Sequence, residues 1–433
     1  MSAPPPAHGA AINGAQHWSL SAYGTPELPP AVRFYTVDPG VADRLGAALD
    51  RCVAAEPALR MELIREEGGA WRQRLADRPV RVDRFALPEG SAGSPAALAY
   101  AQTPALTASF HDDAERNRAV AAAVFADPSG RERPVVALLL ARLAADGRAF
   151  DLLERRLDRT LGRDAPPAWP EDEALAALTE PARLRDTEAI AEVVRRLAAA
   201  QPVAGSEPVV ARREVAARAG VEASRFQAAC RDAGISVTMA YVATQALLLA
   251  EGGDGRPVVV NLPLANRKTA TQRAIVGKFS TAVHVPVPVD ALIAGAFREQ
   301  VRDAVLLTMR HRLLEPRAVY ARLYRTLPHW PPGWNAFCNV RDGMRWDDPL
   351  VLQPLDLPFV DPSDQVSGML VTNARTSVEQ TRAEWIWDAT RWPGFSAAAG
   401  ERLAEAIASA AGDTPLAELR RRGRPSGDRP SCH

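Results

Sequence analysis

Lysine is nearly missing from this chain of 433 residues. Only Lys268 and Lys278 occur, so all but two of the 52 basic residues are arginine. With the abundance of alanine, this reads as a GC-rich coding bias and not as a binding signature. An excess of either charge is missing too, since 52 acidic residues balance the basic ones. Nothing in that balance selects nucleic acid or an anionic membrane surface as a partner. Cysteine is scarce and scattered: Cys52, Cys230, Cys338 and Cys432 form no CxxC and no Cys/His ligand spacing. That argues against a zinc site and fits reduced thiols in the cytosol. No apolar run approaches the roughly 18 residues of a membrane span. The start, MSAPPPAHGAAINGAQ, has no basic segment leading into an apolar core. Residues 1–19 therefore read as a disordered lead-in and not as a signal peptide. The polar end, residues 421–433, reads as an unfolded tail. There is no short-period repeat, and neither a metal nor a cofactor is expected.

Against these absences stands 47% apolar content, enough for two domains. Residues 31–37 alternate as a strand, and residues 39–55 carry Val41, Leu45, Leu49 and Val53 at helical spacing. Residues 58–66 and 70–76 flank a Gly-Gly turn and predict a hairpin. Residues 118–126 and 134–144 read as neighbouring strands, followed by a helix over 147–161 and one or two more over 171–199. The segment QPVAGSEPVV is rich in turn residues, which makes 201–211 the linker between subdomains 20–200 and 212–420. Beyond it come helices at 224–234 and 237–251, the latter apolar nearly all round and so expected to be buried. Strands are expected at 256–267, 280–290, 334–340, 367–374 and 383–389, and helices at 291–311, 316–326 and 395–411. Strands and helices mix in both halves, which predicts an α/β fold with mixed sheets.

The stretch ALLLARLAADGRAF, residues 137–150, joins an apolar strand to a helix through an Asp-Gly corner. Many folds place chemistry at such a corner, yet this one holds neither histidine nor nucleophile. Its surroundings resemble the condensation domains of nonribosomal peptide synthetases. CVAAEPALRMEL resembles the hxxLR stretch near their start. VVALLLARLAADGRAFDLLERRL falls where they carry a strand, the HHxxxDG motif and a helix. FQAACRDAGISVTMAYVATQALLLA resembles the paired helices that open their second half. VVVNLPLANR resembles the strand ending in PxxGR, IVGKFSTAVHVPVPVD the IGFFVNTLPLRVD strand, and VRDAVLLTMRHRLLEP the helix ending in HQdxPfe. The six segments keep the family's order from roughly residue 20 to residue 420.

The resemblance implies two chloramphenicol-acetyltransferase-like subdomains set as a V-shaped pseudo-dimer, with a tunnel between them for carrier-bound substrates. It also implies what has changed. Where the family has its two histidines this chain has Ala141 and Arg142, while Asp146 and Gly147 match. The second histidine assists an amine attacking a thioester, which needs an imidazole titrating near neutrality. Alanine offers nothing there. Arginine stays protonated and only donates, which suits it to an oxyanion and not to the amine's proton. Asp146 is expected to pair with Arg267, the arginine of LANR. Of the seven histidines, His284 is the best substitute imidazole, because alternation places it on one strand face with Ala282. His111, His311 and His329 are expected in structural roles, and His8, His17 and His433 lie near the termini. Lys278 stands where the family has an aromatic residue and is a candidate to line the tunnel or bind substrate. Facing a closed tunnel it would lose its proton by desolvation, but the favoured expectation is that it snorkels out to solvent. Ser280, Thr281 and Asn335 are candidates to bind a substrate carbonyl. Trp385, which shares a strand face with Trp387, is a candidate to line an apolar pocket, with core packing as the competing role.

Three functions follow from the resemblance. The first is a free-standing condensation-like protein of nonribosomal peptide biosynthesis. It would act in trans on an acyl or peptidyl thioester, borne by a carrier protein on phosphopantetheine, without the usual histidine. The expectation of action in trans rests on the absence of any carrier or adenylation segment. The second is a catalytically inactive platform that recruits carrier proteins, a synthetase module or tailoring enzymes. The third is an acyltransferase using a freely diffusing acyl donor.

Overall fold

The computed structural model describes residues 10–11, 16, 28–65, 71–90, 92–112, 115–117, 119–162, 169–178, 185–200, 211–251, 255–312, 314–327, 336–342, 351–355, 370–377 and 379–422. The strands in chain order are β1 (Ala10–Ala11), β2 (Ala31–Thr36), β3 (Met61–Arg65), β4 (Trp71–Leu75), β5 (Arg81–Ala86), β6 (Val120–Ala126) and β7 (Val135–Leu140). They continue with β8 (Ala211–Ala219), β9 (Val258–Leu264), β10 (Thr281–Val287), β11 (Ala336–Asp342), β12 (Gln353–Leu355), β13 (Leu370–Thr376) and β14 (Gln380–Asp388). The chain forms two compact units, each assembled from separated segments. The first comprises residues 1–182, 265–281 and 348–363, and the second the remainder.

In the first unit a five-stranded sheet runs β12-β2-β7-β6-β5. Only the β5–β6 pair is parallel. All six residues of β7 are buried, which explains its unbroken apolar run: a strand covered on both faces has no reason to alternate. The helix Pro39–Ala55 buries Val41, Leu45, Leu49 and Val53, with proline opening its first turn. It packs against the helix Gly147–Leu161, which buries Phe150, Leu153, Leu157 and Leu161 at helical spacing. A third helix, Pro95–Ala108, packs on β6 and β7. Strands β3 and β4 form the expected hairpin, and β1 extends it.

In the second unit a six-stranded mixed sheet runs β10-β9-β11-β13-β14-β8. Ten consecutive residues of the helix Val237–Leu249, Ala240 to Leu249, are buried between this sheet and the helix Ala397–Ser409. The NH2 of its one amide, Gln245, is satisfied there: Nε2 donates to the carbonyl of Phe337 at 3.0 Å and to Thr372 Oγ1 at 2.9 Å, while the buried Oε1 has no hydrogen-bond partner among the described residues. Ser236 and Ser396 cap these two helices by accepting the N–H of Met239 and Ala399.

The division differs from a single cut at 201–211. The helix Thr187–Ala198 packs on the helix Pro316–Thr326 inside the second unit, although it precedes the expected linker. Residues 265–281 and the strand β12, paired antiparallel with β2, return to the first. Of the expected linker, 201–210 lie outside the described residues and Ala211 opens β8. The lead-in is not wholly without structure. Ala10 and Ala11 pair with Gln73 and Arg72, because β4 offers an edge with open backbone groups. Gln16 is buried and its Nε2 donates to Gln73 Oε1 at 3.0 Å. At the other end, Leu416–Arg422 is helical, and the rest of the expected tail lies outside the described residues.

Candidate functional site

The corner after β7 is a tight turn. The Ala141 N–H donates to the carbonyl of Ala119 at 2.8 Å, and the Ala141 carbonyl accepts from Ala144 and Ala145, each at 3.1 Å. Ala141 is buried. The turn delivers Asp146, with extended backbone, to the N-cap of the helix Gly147–Leu161, whose first residue is Gly147. Asp146 then makes four bonds. Its Oδ1 accepts from the Ala149 N–H at 2.8 Å and from Arg267 Nη2 at 3.0 Å. Its Oδ2 accepts the N–H groups of Phe279 and Ser280, each at 3.0 Å. One carboxylate thus caps a helix, neutralises a guanidinium and clamps a separate strap of chain. The side chains of Asp146 and Arg267 are 2% and 4% exposed, so each charge depends on the other for compensation.

The strap, residues 265–281, is shaped from its own side as well. Asn266 turns it in the left-handed region at φ 45°, where asparagine is among the residues that tolerate the conformation. The Asn266 amide donates to Thr281 Oγ1 at 2.8 Å. Arg267 Nη1 donates to the carbonyl of Ile275 at 2.7 Å, Nη2 donates to that of Gly277 at 2.9 Å, and the guanidinium lies 4.5 Å above the Phe279 ring. At Gly277 the chain passes too close for a side chain. A Cβ would sit 2.5 Å from Leu178 Cδ2 and 2.9 Å from Phe279 Cε2. Gly277→Ala is expected to cost the first unit about 1–3 kcal/mol through overpacking, read as a lowered midpoint in denaturant.

Two cations lie at this clamp. Arg142 is half-buried, with Nε donating to the carbonyl of Pro29 at 3.1 Å. Lys278 sits between the clamped residues Gly277 and Phe279. The sequence-based expectation that it snorkels to solvent is overturned, because Lys278 is only 9% exposed. Burial pushes its ammonium down to about 8, the charge of Arg142 acts in the same direction, and Asp146 opposes both. Sequence pattern identified the position but not what packs around it.

His284 belongs to the second unit, on β10, with Val285 and Val287 facing the core from the alternate positions. Its ring is held on both nitrogens. Asn261 commits its amide Nδ2 to the carbonyl of Ala336 at 2.8 Å, which turns Oδ1 toward His284 Nδ1. That arrangement fixes the Nδ1–H tautomer, so Nε2 accepts from the Tyr320 hydroxyl at 2.9 Å. Burial holds the imidazole down to about 4. It is therefore neutral at physiological pH and already engaged, which does not suit the role of a base titrating near neutrality. Tyr320 and Asn261 escaped sequence reasoning, although a lone Asn inside the apolar VVVNLPL strand was a legible signal.

His284 also carries a pH signature. Its folded value lies below the 6.5 of an unperturbed imidazole, so the unfolded chain binds more protons between pH 6.5 and 4. Its contribution is fully present above pH 6.5 and is lost as the pH falls toward 4. Comparing denaturation of the protein with His284→Gln across that window should show a differential slope of at most about 1.4 kcal/mol per pH unit.

The remaining candidates take structural places. Trp385 is fully buried in the core of the second unit. Its Nε1–H donates to Glu401 Oε1 at 3.1 Å, and its ring packs on Tyr241 and Phe395. Core packing thus displaces the pocket-lining role, as the buried helix Ala397–Ser409 supplies the partner its indole needs. Thr281 is buried and holds the Asn266 corner, while Ser280 meets Asp146 through its backbone N–H. His111 bonds to the carbonyl of Leu28, and His311 caps the helix Ala294–Arg310. Asn335, His8, His17, His329 and His433 lie outside the described residues. Among the described residues no group of three or more His, Cys, Asp or Glu side chains is placed to hold a metal. No single helix among them is long and apolar enough to cross a membrane.

No protein-family model matches the sequence, and no curated protein matches it. Solved structures do. The first condensation domain of the calcium-dependent antibiotic synthetase, in complex with a substrate analogue, aligns with a TM-score of 0.65 at 16% identity. The alignment covers 94% of this chain and 98% of that one. The X-domain from teicoplanin biosynthesis, solved in complex with OxyB, aligns with a TM-score of 0.62 at 18% identity, over 96% and 97% of the two chains. A mutant starter condensation domain of rhizomide synthetase, solved with C8-CoA and Leu-SNAC, aligns with a TM-score of 0.65 at 17% identity, over 94% and 96%. The likeness shows the fold: that of condensation domains and X-domains, with two chloramphenicol-acetyltransferase-like subdomains.

Proposed function

We propose that this chain is a condensation-like acyl-transfer protein of nonribosomal peptide biosynthesis. It acts in trans on an acyl or peptidyl thioester held by a carrier protein, and Arg142 takes the place of the histidine as donor to the thioester oxygen. The observation that carries this reading is the four-bond clamp of Asp146. It ties the start of the helix that follows Arg142 to the strap bearing Lys278, although the histidines of the resembling motif are gone. A preorganised cation at a buried corner stabilises developing negative charge without reorganising during the reaction. Proximity supplies much of the rest: holding amine and thioester together is worth roughly 7 kcal/mol or more.

The test is reconstitution. Carrier-bound thioesters are incubated with an amine-bearing carrier, with and without the protein, and the phosphopantetheine arms are read by mass spectrometry. A condensed product that depends on the protein supports the reading. Carriers that bind yet never change mass sink it.

A second reading is a recruiting platform without chemistry. It is favoured by Ala141, whose methyl group offers no function at a buried corner, and by the likeness to an X-domain solved in complex with OxyB. Under that reading the binding of a carrier, a synthetase module or a tailoring enzyme is the activity.

A further inference from the structure

We propose that Lys278 is the base of this reaction, its ε-amine taking from the attacking amine the proton that the missing histidine would have taken. The proposal rests on the acyl-transfer reading and adds to it the group which that reading lacks.

The geometry begins with the backbone. The Gly277 carbonyl is held by Arg267 at 2.9 Å, and the Phe279 and Ser280 N–H groups are held by Asp146 at 3.0 Å. Lys278 is therefore flanked on both sides by hydrogen-bonded backbone, and the space at Gly277 has no room for a Cβ beside Leu178 and Phe279. The same carboxylate that holds the strap caps the helix that follows the corner bearing Arg142. The Lys278 side chain carried by this strap is nine-tenths buried, where an exposed lysine would reach solvent.

Electrostatics suit the role. Burial acts most strongly on Lys278 and disfavours its ammonium; Asp146 favours the ammonium and Arg142 disfavours it. Asp146 is already committed to Arg267, and burial adds to the effect of Arg142, so the amine is held down to about 8. A base poised near working pH combines a large deprotonated fraction with a strong pull on the proton. The step balances. The substrate amine forms its bond to the thioester carbon while the carbonyl electrons move onto the oxygen beside Arg142. Lys278 takes the ammonium proton, the C–S bond breaks as the carbonyl reforms, and the proton passes from Lys278 to the departing thiolate. Amine and thioester become amide and thiol.

The rarity of lysine makes the test direct. With only Lys268 and Lys278 in the chain, isotope-labelled lysine gives two side-chain signals in the full-length protein, assigned with Lys268→Arg. The Lys278 signal is expected to titrate near pH 8, and a midpoint above 10 overturns the proposal whatever the activity. In the reconstituted reaction kcat/KM should rise with pH to a plateau with the same midpoint. Lys278→Arg keeps the charge but cannot accept a proton, and should lose that limb and about 10²–10⁴-fold in rate. Lys278→Met, which removes a buried charge, guards against misfolding as the cause. If either variant keeps both the rate and the pH profile, the base is not Lys278 while acyl transfer stands. If wild-type protein condenses no thioester, acyl transfer fails and the base role fails with it.

Discussion

Asp146→Ala should destabilise the first unit by about 3–5 kcal/mol, the range for breaking a buried ion pair by removing one partner. The substitution strips four bonds at once. Arg267 keeps the carbonyls of Ile275 and Gly277 but loses the carboxylate it is paired with at 4% exposure. The helix Gly147–Leu161 loses its cap, a loss typically worth about 1 kcal/mol, and the N–H groups of Phe279 and Ser280 lose their acceptor. Asp146→Asn separates these effects. Its single oxygen can serve the helix or the strap but not both, and its amide brings no charge to Arg267. It should fall between the wild type and alanine. Denaturation followed by a probe in the first unit checks the order, and an alanine variant as stable as the wild type would show that the clamp contributes nothing.

The legible parts of the fold share one property: their surroundings are set by their own sequence. Strand β7 is covered on both faces and reads as an apolar run, and the helix Gly147–Leu161 has one buried stripe and reads as periodic. The helix Pro95–Ala108 did not read, because alanine, threonine and an internal Pro104 leave no stripe to see. Strand β8 did not read either, since ARREVAARA at a sheet edge is rich in residues that elsewhere favour helices. At the site, positions were legible and environments were not. The spacing from Asp146 to Arg267 carries no sign that two further N–H groups complete the carboxylate. Lys278 is buried by chain that no local pattern names, and His284 is silenced by Asn261 and Tyr320, 23 and 36 residues away. The discontinuous units have the same cause: residues 265–281 and 348–363 leave one unit for the other without any change in composition to mark it.

Arg142→Ala should lower turnover of a carrier-bound thioester by about 10²–10³-fold, the cost of removing one oxyanion donor. Arginine has no proton to give up at working pH, so its contribution is confined to donation. The half-buried guanidinium is anchored at one end, its Nε donating to the Pro29 carbonyl at 3.1 Å, which makes it a preorganised donor. An oxyanion forming in the transition state supplies the negative charge that this environment favours. Replacing the motif residues tests the same point from the other side. Arg142→His places one imidazole at the turn, while Ala141→His forces a second into a buried position whose backbone is bonded to Ala119, at about 1–3 kcal/mol of overpacking. The double variant should therefore be less stable than Arg142→His alone, and the single variant is the cleaner measurement. If Arg142 is the oxyanion donor and Lys278 the base, Arg142→His should lose most of its turnover, since a neutral imidazole has no charge and a single N–H where the guanidinium has five. If Arg142 is only a lapsed histidine, the same substitution should raise amide formation instead. If the protein is a platform, carrier or enzyme affinity should be unchanged in Arg142→Ala and Arg142→His, and no variant should form amide. Single-turnover rates for the three proteins, beside their affinities for the carrier, separate these cases, and full turnover in Arg142→Ala would remove the arginine from the mechanism.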